Sequence, residues 1–291
     1  MKLSCLNKAV VLAPCLFLFA AAPLMIAAQD DGTDGPPKVL YVVREMTKPG
    51  KGGVLHEKTE SAFVNTLTAA KAPMHYLALT SITGPDRALF LSGYPNFAAM
   101  EEEHKAMGKI PGLEAKLDSA GVADGDLLAS TDESTWVRRD DQSYNSGNLM
   151  GARLMEISKY VVKPGHMKEW DELVKMVLDG YKKGVPSSKW TMFEEAYGSD
   201  GASFLVIVPL KSMEEIDHHF AHDKEFMDAV GKDGMKKLDE LEASCVESEM
   251  TNLFAISPKM SAPPDSWVKA EPDYWKPKPA PVKKPEAKPA Q

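Results

Sequence analysis

Apolar residues recur along the first half of this chain with two spacings, and the change from one to the other predicts an order of strands and helices. Short or alternating apolar segments bounded by Gly, Pro or Asp are typical of strands. Apolar residues three and four positions apart are typical of helices that bury one face. The predicted strands are 39–46, 75–82, 88–94 and 127–137, and the predicted helices are 54–70, 95–107 and a short one at 113–120.

The second half of the chain predicts the same order. Its first helix has the most regular pattern, with apolar residues at Met167, Trp170, Leu173, Val174, Val177, Leu178 and Tyr181. A further helix is predicted at 213–241, with a break at 231–234. The predicted strands are 153–162, 189–197, 203–208 and 245–256.

Matching turn residues indicate that the two halves are a tandem repeat. Lys48-Pro49-Gly50 and Lys163-Pro164-Gly165 both follow the first strand of a half and lie 115 positions apart. Gly84 and Gly198, Asp86 and Asp200, and His104 and His218 all lie 114 positions apart, which one deleted residue explains. We therefore expect one duplicated module whose two copies cover each other's apolar sheet surfaces, with two unrelated α+β domains as the alternative.

These openings, and a helix over 212–226 with a His shortly before a Phe, resemble the dimeric α/β-barrel superfamily, which includes antibiotic-biosynthesis monooxygenase-like and NIPSNAP-like families. The resemblance covers residues 38–257. It implies an α+β fold of two tandem ferredoxin-like βαββαβ units that form a pseudo-dimeric α/β barrel within one chain. Superfamily members include cofactor-free oxygenases, haem proteins and proteins without a known reaction, so the resemblance implies no single activity.

The N-terminal pattern predicts export to the periplasm or the outside of the cell. Lys2 and Lys8 precede an apolar segment at 9–28, and cleavage after Ala28 is predicted, with an uncleaved anchor as the alternative. No transmembrane segment is expected after cleavage. The predicted divisions are a signal peptide at 1–28, a mobile leader at 29–37, units at 38–138 and 152–257 joined by a linker at 139–151, and a disordered Pro/Lys-rich tail at 258–291.

Composition narrows the classes of partner and of chemistry. The 291 residues carry a net charge of −8, which argues against nucleic acid and anionic membranes as partners. Cys5 and Cys15 lie in the predicted signal, so only Cys245 remains and no internal disulfide is expected. The sequence contains no Gly-rich phosphate loop, no nucleophile elbow and no spaced Cys/His zinc motif.

Aromatic, histidine and glutamate side chains supply the candidate sites. Six aromatic residues predict a cavity for a small hydrophobic or aromatic ligand, unless they are ordinary core residues: Tyr41, Tyr76, Tyr160, Trp190, Phe193 and Tyr197. Glu156, Glu194 and Glu195 lie on predicted strands, where one of them could be half-buried and act as a general acid or base.

Two histidine sets complete the candidates. The resemblance implies that His104 and His218 occupy the helix where related barrels carry a haem ligand, although the rest of that pattern is missing. His218 and His222 are one helical turn apart and could ligate a metal, but a solvated helix face is the stronger interpretation, and no metal site is predicted.

Three functions are compatible with these patterns. The first is an exported binding protein for a small hydrophobic or aromatic ligand, without strong chemistry. The second is a monooxygenase-like enzyme, either cofactor-free or haem-dependent. The third is an envelope-associated scaffold that acts through the Pro/Lys tail, in which only Trp267, Tyr274 and Trp275 could contact the folded body.

Overall fold

The computed structural model describes residues 35–147, 149–198 and 201–276. The predicted signal peptide at 1–28, most of the leader and residues 277–291 of the tail lie outside the described residues, so the predictions about them remain predictions. In the described part of the chain, no helix combines the length and the apolar character that are needed to cross a membrane.

As far as β8, the described strands and helices follow the order that the apolar spacing predicts. The strands are β1 (Val39–Thr47), β2 (Leu77–Ser81), β3 (Arg87–Tyr94), β4 (Leu128–Arg138), β5 (Leu154–Val162), β6 (Thr191–Tyr197), β7 (Ser203–Leu210) and β8 (Val246–Ile256). The helices are α1 (Val54–Ala70), α2 (Phe97–Gly108), α3 (Leu113–Gly125), α4 (Met167–Gly184), α5 (Glu214–Ala221), α6 (Asp223–Cys245), α7 (Asp265–Ala270) and α8 (Pro272–Trp275). The helix predicted at 213–241 is two helices, and α6 kinks at Gly231, where φ is 77°.

The predicted fold, two ferredoxin-like units in a pseudo-dimeric α/β barrel, is wrong. The eight strands form one closed barrel in the order β1-β3-β2-β8-β5-β7-β6-β4, and all the paired strands are antiparallel. Strand β2 pairs with β8, and β4 pairs with β6. The two halves are therefore joined by backbone hydrogen bonds between strands, and not by the packing of one sheet face on another. Closure leaves no strand edge exposed, which is the physical reason for this arrangement. The suggested tandem duplication stays a prediction.

Alternation along each strand divides the side chains between the barrel interior and the surrounding helices. On β1, Leu40, Val42 and Arg44 point inward, whereas Val43 and Glu45 face the helices. The inward residues build the largest core cluster, and separate apolar clusters lie beneath α1 and beneath α4 and α6. Cys245 is fully buried in the cluster beneath α4 and α6.

Part of the predicted disordered tail is folded. Residues 258–276 include α7 and α8, and Trp275 of α8 joins the core cluster of the barrel interior. Arg153 at the start of β5 pairs with Glu271 at 2.6 Å, and Tyr274 donates a hydrogen bond to the carbonyl of Ile256. The two short helices therefore close one end of the barrel, and we call residues 265–275 the C-terminal plug. A scaffold role of the remaining tail stays a prediction.

Candidate functional site

The open end of the barrel leads into a cavity of about 330 Å³, which we call the lumen. Its apolar wall comes from inward residues of six strands: Val42, Leu89, Leu91, Trp136, Ile157, Val161, Leu205, Ile207 and Phe254. Its polar residues are mainly Arg44, Arg87, Asp132, Lys159, Glu195 and Asn252. Because the polar groups lie toward the open end and the plug closes the other end, the lumen has a charged mouth and an apolar floor.

Arg87 is the unusual residue of the lumen. Its residue surface is 9% exposed, and its guanidinium forms no hydrogen bond or salt bridge with the described residues. The nearest favourable contact is the ring of Phe254, whose centroid lies 5.1 Å from Cζ. Burial, and then the neighbouring Arg44, lowers the pKa of Arg87. A buried cation without an anionic partner is costly, so this side chain is prepared to receive an anion.

Arg44 has a different environment from Arg87. Its Nε and Nη2 atoms both donate to Asp132 Oδ2, at 2.8 and 2.7 Å, and its side chain is 42% exposed. Arg44 is therefore already neutralised by a carboxylate of the protein. Of these two arginines, only Arg87 is left for a ligand.

Glu195 places a carboxylate in the same lumen. Its side chain is 3% exposed, and Oε2 has no hydrogen-bond partner among the described residues. Lys159 Nζ lies 3.6 Å from that oxygen, which is close enough for attraction but too long for a good hydrogen bond. Lys159 also lies over the Trp136 ring, 5.5 Å from its centroid. The lumen thus contains an acceptor without a hydrogen bond, Glu195 Oε2, as well as a cation without an anionic partner, Arg87.

The six aromatic residues predicted to line a ligand cavity do not come together. Phe193 lies in the core cluster of the barrel interior, Tyr76 beneath α1, and Trp190 and Tyr160 beneath α4 and α6. Tyr41 donates a hydrogen bond to Glu133, Tyr160 donates one to Glu249, and Tyr197 is 71% exposed. None of the six lines the lumen. The three strand glutamates also separate, because Glu194 pairs with Arg139 and only Glu195 enters the lumen.

The predicted histidine sites lie on the outer helices. His104 on α2 and His218 on α5 are exposed, and no histidine, cysteine or tyrosine of the described chain lines the lumen. The residues present therefore do not fit a haem with a histidine ligand in the barrel. His222 is half-exposed and contacts Glu225 at 3.4 Å. The described residues bring no group of three metal-type ligands together around His218 and His222.

A second polar site, which the sequence did not predict, lies between β1 and the helices of the first half. It consists of Glu45 on β1, His56 and Glu60 on α1, and Asp124 on α3, and we call it the His–carboxylate cluster. His56 Nε2 lies 2.9 Å from Glu45, 3.5 Å from Asp124 and 3.9 Å from Glu60. The Thr59 hydroxyl donates to Asp124 at 2.5 Å. Three of the four cluster members are buried.

Burial and charge determine where protons lie in this cluster. Burial, and then the carboxylates of Glu45 and Asp124, raises the pKa of Glu60 to about 9. Burial by itself would lower the pKa of His56, but hydrogen bonding to Asp124 and Glu45 raises it to about 10. Three carboxylates within 4.8 Å of one another require protons or a cation to compensate their charge.

A signal for half of this cluster is present in the sequence. His56 and Glu60 are four residues apart on a predicted helix, so they share one helix face. Glu45 and Asp124 cannot be assigned to that face without the packing of α1 on β1 and of α3 on α1. Arg87 had no signal of this kind, since it lies at the start of a strand directly after a polar turn.

Comparison with models of protein families gives no match, and comparison with curated proteins gives no match either. Solved structures of similar shape include a candidate monooxygenase of Fusobacterium nucleatum, with 12% identity, a TM-score of 0.48, and 77% of this chain and 93% of that chain covered. An anthrone oxidase-like protein has 13% identity and a TM-score of 0.48, with 80% of this chain and 94% of that chain covered. A haem-binding protein of Thermus thermophilus has 12% identity and a TM-score of 0.42, with 76% and 91% covered.

Proposed function

We propose that this protein binds a small molecule with an anionic group and an apolar body in the lumen of its barrel. The observation that carries the proposal is Arg87, a buried residue whose Nε has no hydrogen-bond partner and whose guanidinium has no anionic partner among the described residues. Natural proteins rarely bury a cation in this way unless a ligand or a counter-ion neutralises its charge and accepts its hydrogen bonds. The proposal keeps the predicted small-molecule function but moves the site from the aromatic residues to the barrel interior.

The shape of the lumen supports a specific orientation of the ligand. The carboxylate or equivalent anion lies at Arg87, near the charged mouth, and the apolar part contacts residues such as Leu89, Ile157 and Phe254. A hydrogen-bond donor on the ligand would satisfy Glu195 Oε2. A volume of about 330 Å³ lies at the lower end of the range for ligand pockets, so the ligand is small.

Titration calorimetry of the purified protein with benzoate, hexanoate and the neutral benzamide tests this proposal. We expect the two anions to bind at least about tenfold more tightly than benzamide, because a hydrogen bond to a charged group contributes roughly 1.5–3 kcal/mol. Arg87→Met should remove this preference and leave benzamide binding unchanged. Lys105→Met, which removes an exposed charge on α2, is the control.

Two results would contradict the proposal. One is that neither anion binds the wild-type protein at millimolar concentration. The other is that Arg87→Met binds benzoate as well as the wild-type protein does. If Lys105→Met loses as much benzoate affinity as Arg87→Met does, the net charge of the protein, and not the lumen, controls the affinity.

A monooxygenase-like enzyme that uses no cofactor is the second candidate, and Glu195 is the observation that favours it. A carboxylate with one unpaired oxygen in a mostly apolar cavity is suited to accept a proton from a bound substrate. Transfer of a C–H proton next to a carbonyl to Glu195 would leave a carbanion, which would form a C–O bond to dioxygen and, with the proton returned, a hydroperoxide. Loss of water from the hydroperoxide would leave a new carbonyl, so that the CH₂ group supplies the four electrons that reduce dioxygen. The substrate would keep its anionic group at Arg87.

Oxygen uptake with phenylpyruvate as the substrate tests this candidate. Phenylpyruvate has a carboxylate, an aromatic body and an acidic CH₂ group next to a carbonyl. We expect uptake by the wild-type protein and a decrease of about 100-fold or more in Glu195→Gln, which is the usual contribution of a general base. Uptake in wild type that equals uptake in Glu195→Gln would leave only the binding function.

A further inference from the structure

We infer that the His–carboxylate cluster is a binding site for one divalent transition-metal ion, held by Glu45, His56, Glu60 and Asp124. This site is separate from the lumen, because Glu45 lies on the helix side of β1 whereas Arg44 lies on the lumen side. The inference therefore does not depend on the proposed ligand of the lumen.

The distances fit the first coordination sphere of such an ion. The four ligand atoms all lie within 4.8 Å of one another, and the separations from His56 Nε2 are 2.9, 3.5 and 3.9 Å. An ion with bonds of about 2.1 Å separates neighbouring ligand atoms by about 3.0–3.4 Å and opposite ones by about 4.2 Å. The three separations from His56 Nε2 are therefore close to those between the ligand atoms of such an ion.

Glu60 is the most weakly compensated carboxylate of the cluster. Its side chain is 5% exposed, and its contact with His56 Nε2, at 3.9 Å, is longer than a hydrogen bond. The carboxylate of Asp124 is another of its polar neighbours in the cluster. Because one imidazole serves three carboxylates, a metal ion at this point would compensate the charge that His56 reaches only at a distance.

The side chains that hold the ligands in place are also present. Asp124 Oδ1, the oxygen that lies 3.5 Å from His56 Nε2, also accepts the hydrogen bond of Thr59, which fixes the orientation of this carboxylate. His56 and Glu60 project from one face of α1 because they are one turn apart. The ligands come from three elements, β1, α1 and α3, so the ion would also join these elements.

The mixed ligand set determines the class of ion. Three carboxylates and one imidazole suit Mn²⁺, Fe²⁺ or Zn²⁺, whereas Mg²⁺ and Ca²⁺ are held by oxygen atoms alone. Glu45 is the least buried member, with 13% of its side chain exposed, so the ion would enter past this residue.

Titration calorimetry with Zn²⁺ and Mn²⁺, after treatment of the purified protein with a chelator, tests the inference. We expect one ion per chain for both metals and no measurable binding of Mg²⁺ at the same concentration. Glu60→Gln and Asp124→Asn should each weaken Zn²⁺ binding at least about tenfold, the lower limit measured even for residues that only support a ligand. Circular dichroism of each variant establishes that it remains folded.

Glu225→Gln is the matched control, because it makes the same substitution at the exposed His222–Glu225 pair. This variant should bind Zn²⁺ as the wild-type protein does. The inference is overturned if the wild-type protein binds neither Zn²⁺ nor Mn²⁺ at millimolar concentration. It is also overturned if both cluster variants keep the wild-type affinity, or if the control loses binding while they retain it.

Discussion

Replacement of Arg87 by methionine should make the ligand-free protein more stable. An unsatisfied buried donor costs about 1–3 kcal/mol, and the variant removes that cost. It also removes the contact with the ring of Phe254, which contributes about 0.5–1 kcal/mol at a distance of 5.1 Å. Methionine keeps most of the apolar side-chain stem in the lumen. We therefore expect a net gain of about 1 kcal/mol in the free energy of unfolding.

Urea unfolding of both proteins, with and without benzoate, measures this difference. At a benzoate concentration 100 times its dissociation constant, the wild-type protein should gain about 2.7 kcal/mol and the variant almost nothing. The order of the two stabilities should then be reversed. A ligand-free variant that is less stable than the wild-type protein by about 1 kcal/mol or more would mean that Arg87 supports the fold, and would refute the reasoning. Arg44→Met is the control, and it should not stabilise the protein, because Arg44 is already paired with Asp132.

Three further predictions concern other parts of the chain. Truncation at Pro258 removes the C-terminal plug and should lower the free energy of unfolding in urea by more than about 3 kcal/mol. Truncation after Lys276 keeps the plug and should leave this free energy unchanged. Equal stabilities of the two truncated proteins would contradict the role of the plug. In calorimetric melts, Gly184→Ala should destabilise by about 1–3 kcal/mol, since its Cβ would lie 2.5 Å from a carbonyl oxygen of α6, whereas Gly125→Ala has open space and should be neutral or stabilising. Mass spectrometry of the protein purified from the cells that produce it should find a chain that begins after Ala28 if the predicted export signal is cleaved, and an intact N-terminus would favour the anchor.

The sequence was sufficient for the order of strands and helices but not for the way the sheet closes. Helix α4 could be predicted because its apolar residues recur every three or four positions along one face. The pairing of Leu79 with Ile256 could not, because alternation shows which side of a strand is buried and not which strand lies beside it. In the tail, Trp267, Tyr274 and Trp275 could be named as the residues able to contact the folded body, but the proline-rich composition gave no indication of the two helices of the C-terminal plug.

The candidate sites show the same limit. Glu195 could be named as a candidate acid or base from its strand position, but its neighbours Lys159 and Arg87 come from strands distant in sequence. The aromatic residues were predicted to lie together because all six lie on predicted strands, with Tyr76 and Trp190 at equivalent positions of the two halves, yet alternation sends Phe193 inward and Tyr160 outward. His56 and Glu60 share a helix face in the sequence, but this pair becomes a four-residue cluster only when packing places Glu45 and Asp124 beside it.

The pairing of β2 with β8 has a consequence for how this chain acquires its structure. Barrel closure joins Leu79 to Ile256, so the first half cannot complete its hydrogen bonds until the last strand has been synthesised. Long-range pairing of this kind gives a high contact order, for which folding takes milliseconds to seconds. During that interval the edge of β2 is open to other chains, and a protein delivered unfolded across a membrane would need that edge protected until β8 arrives.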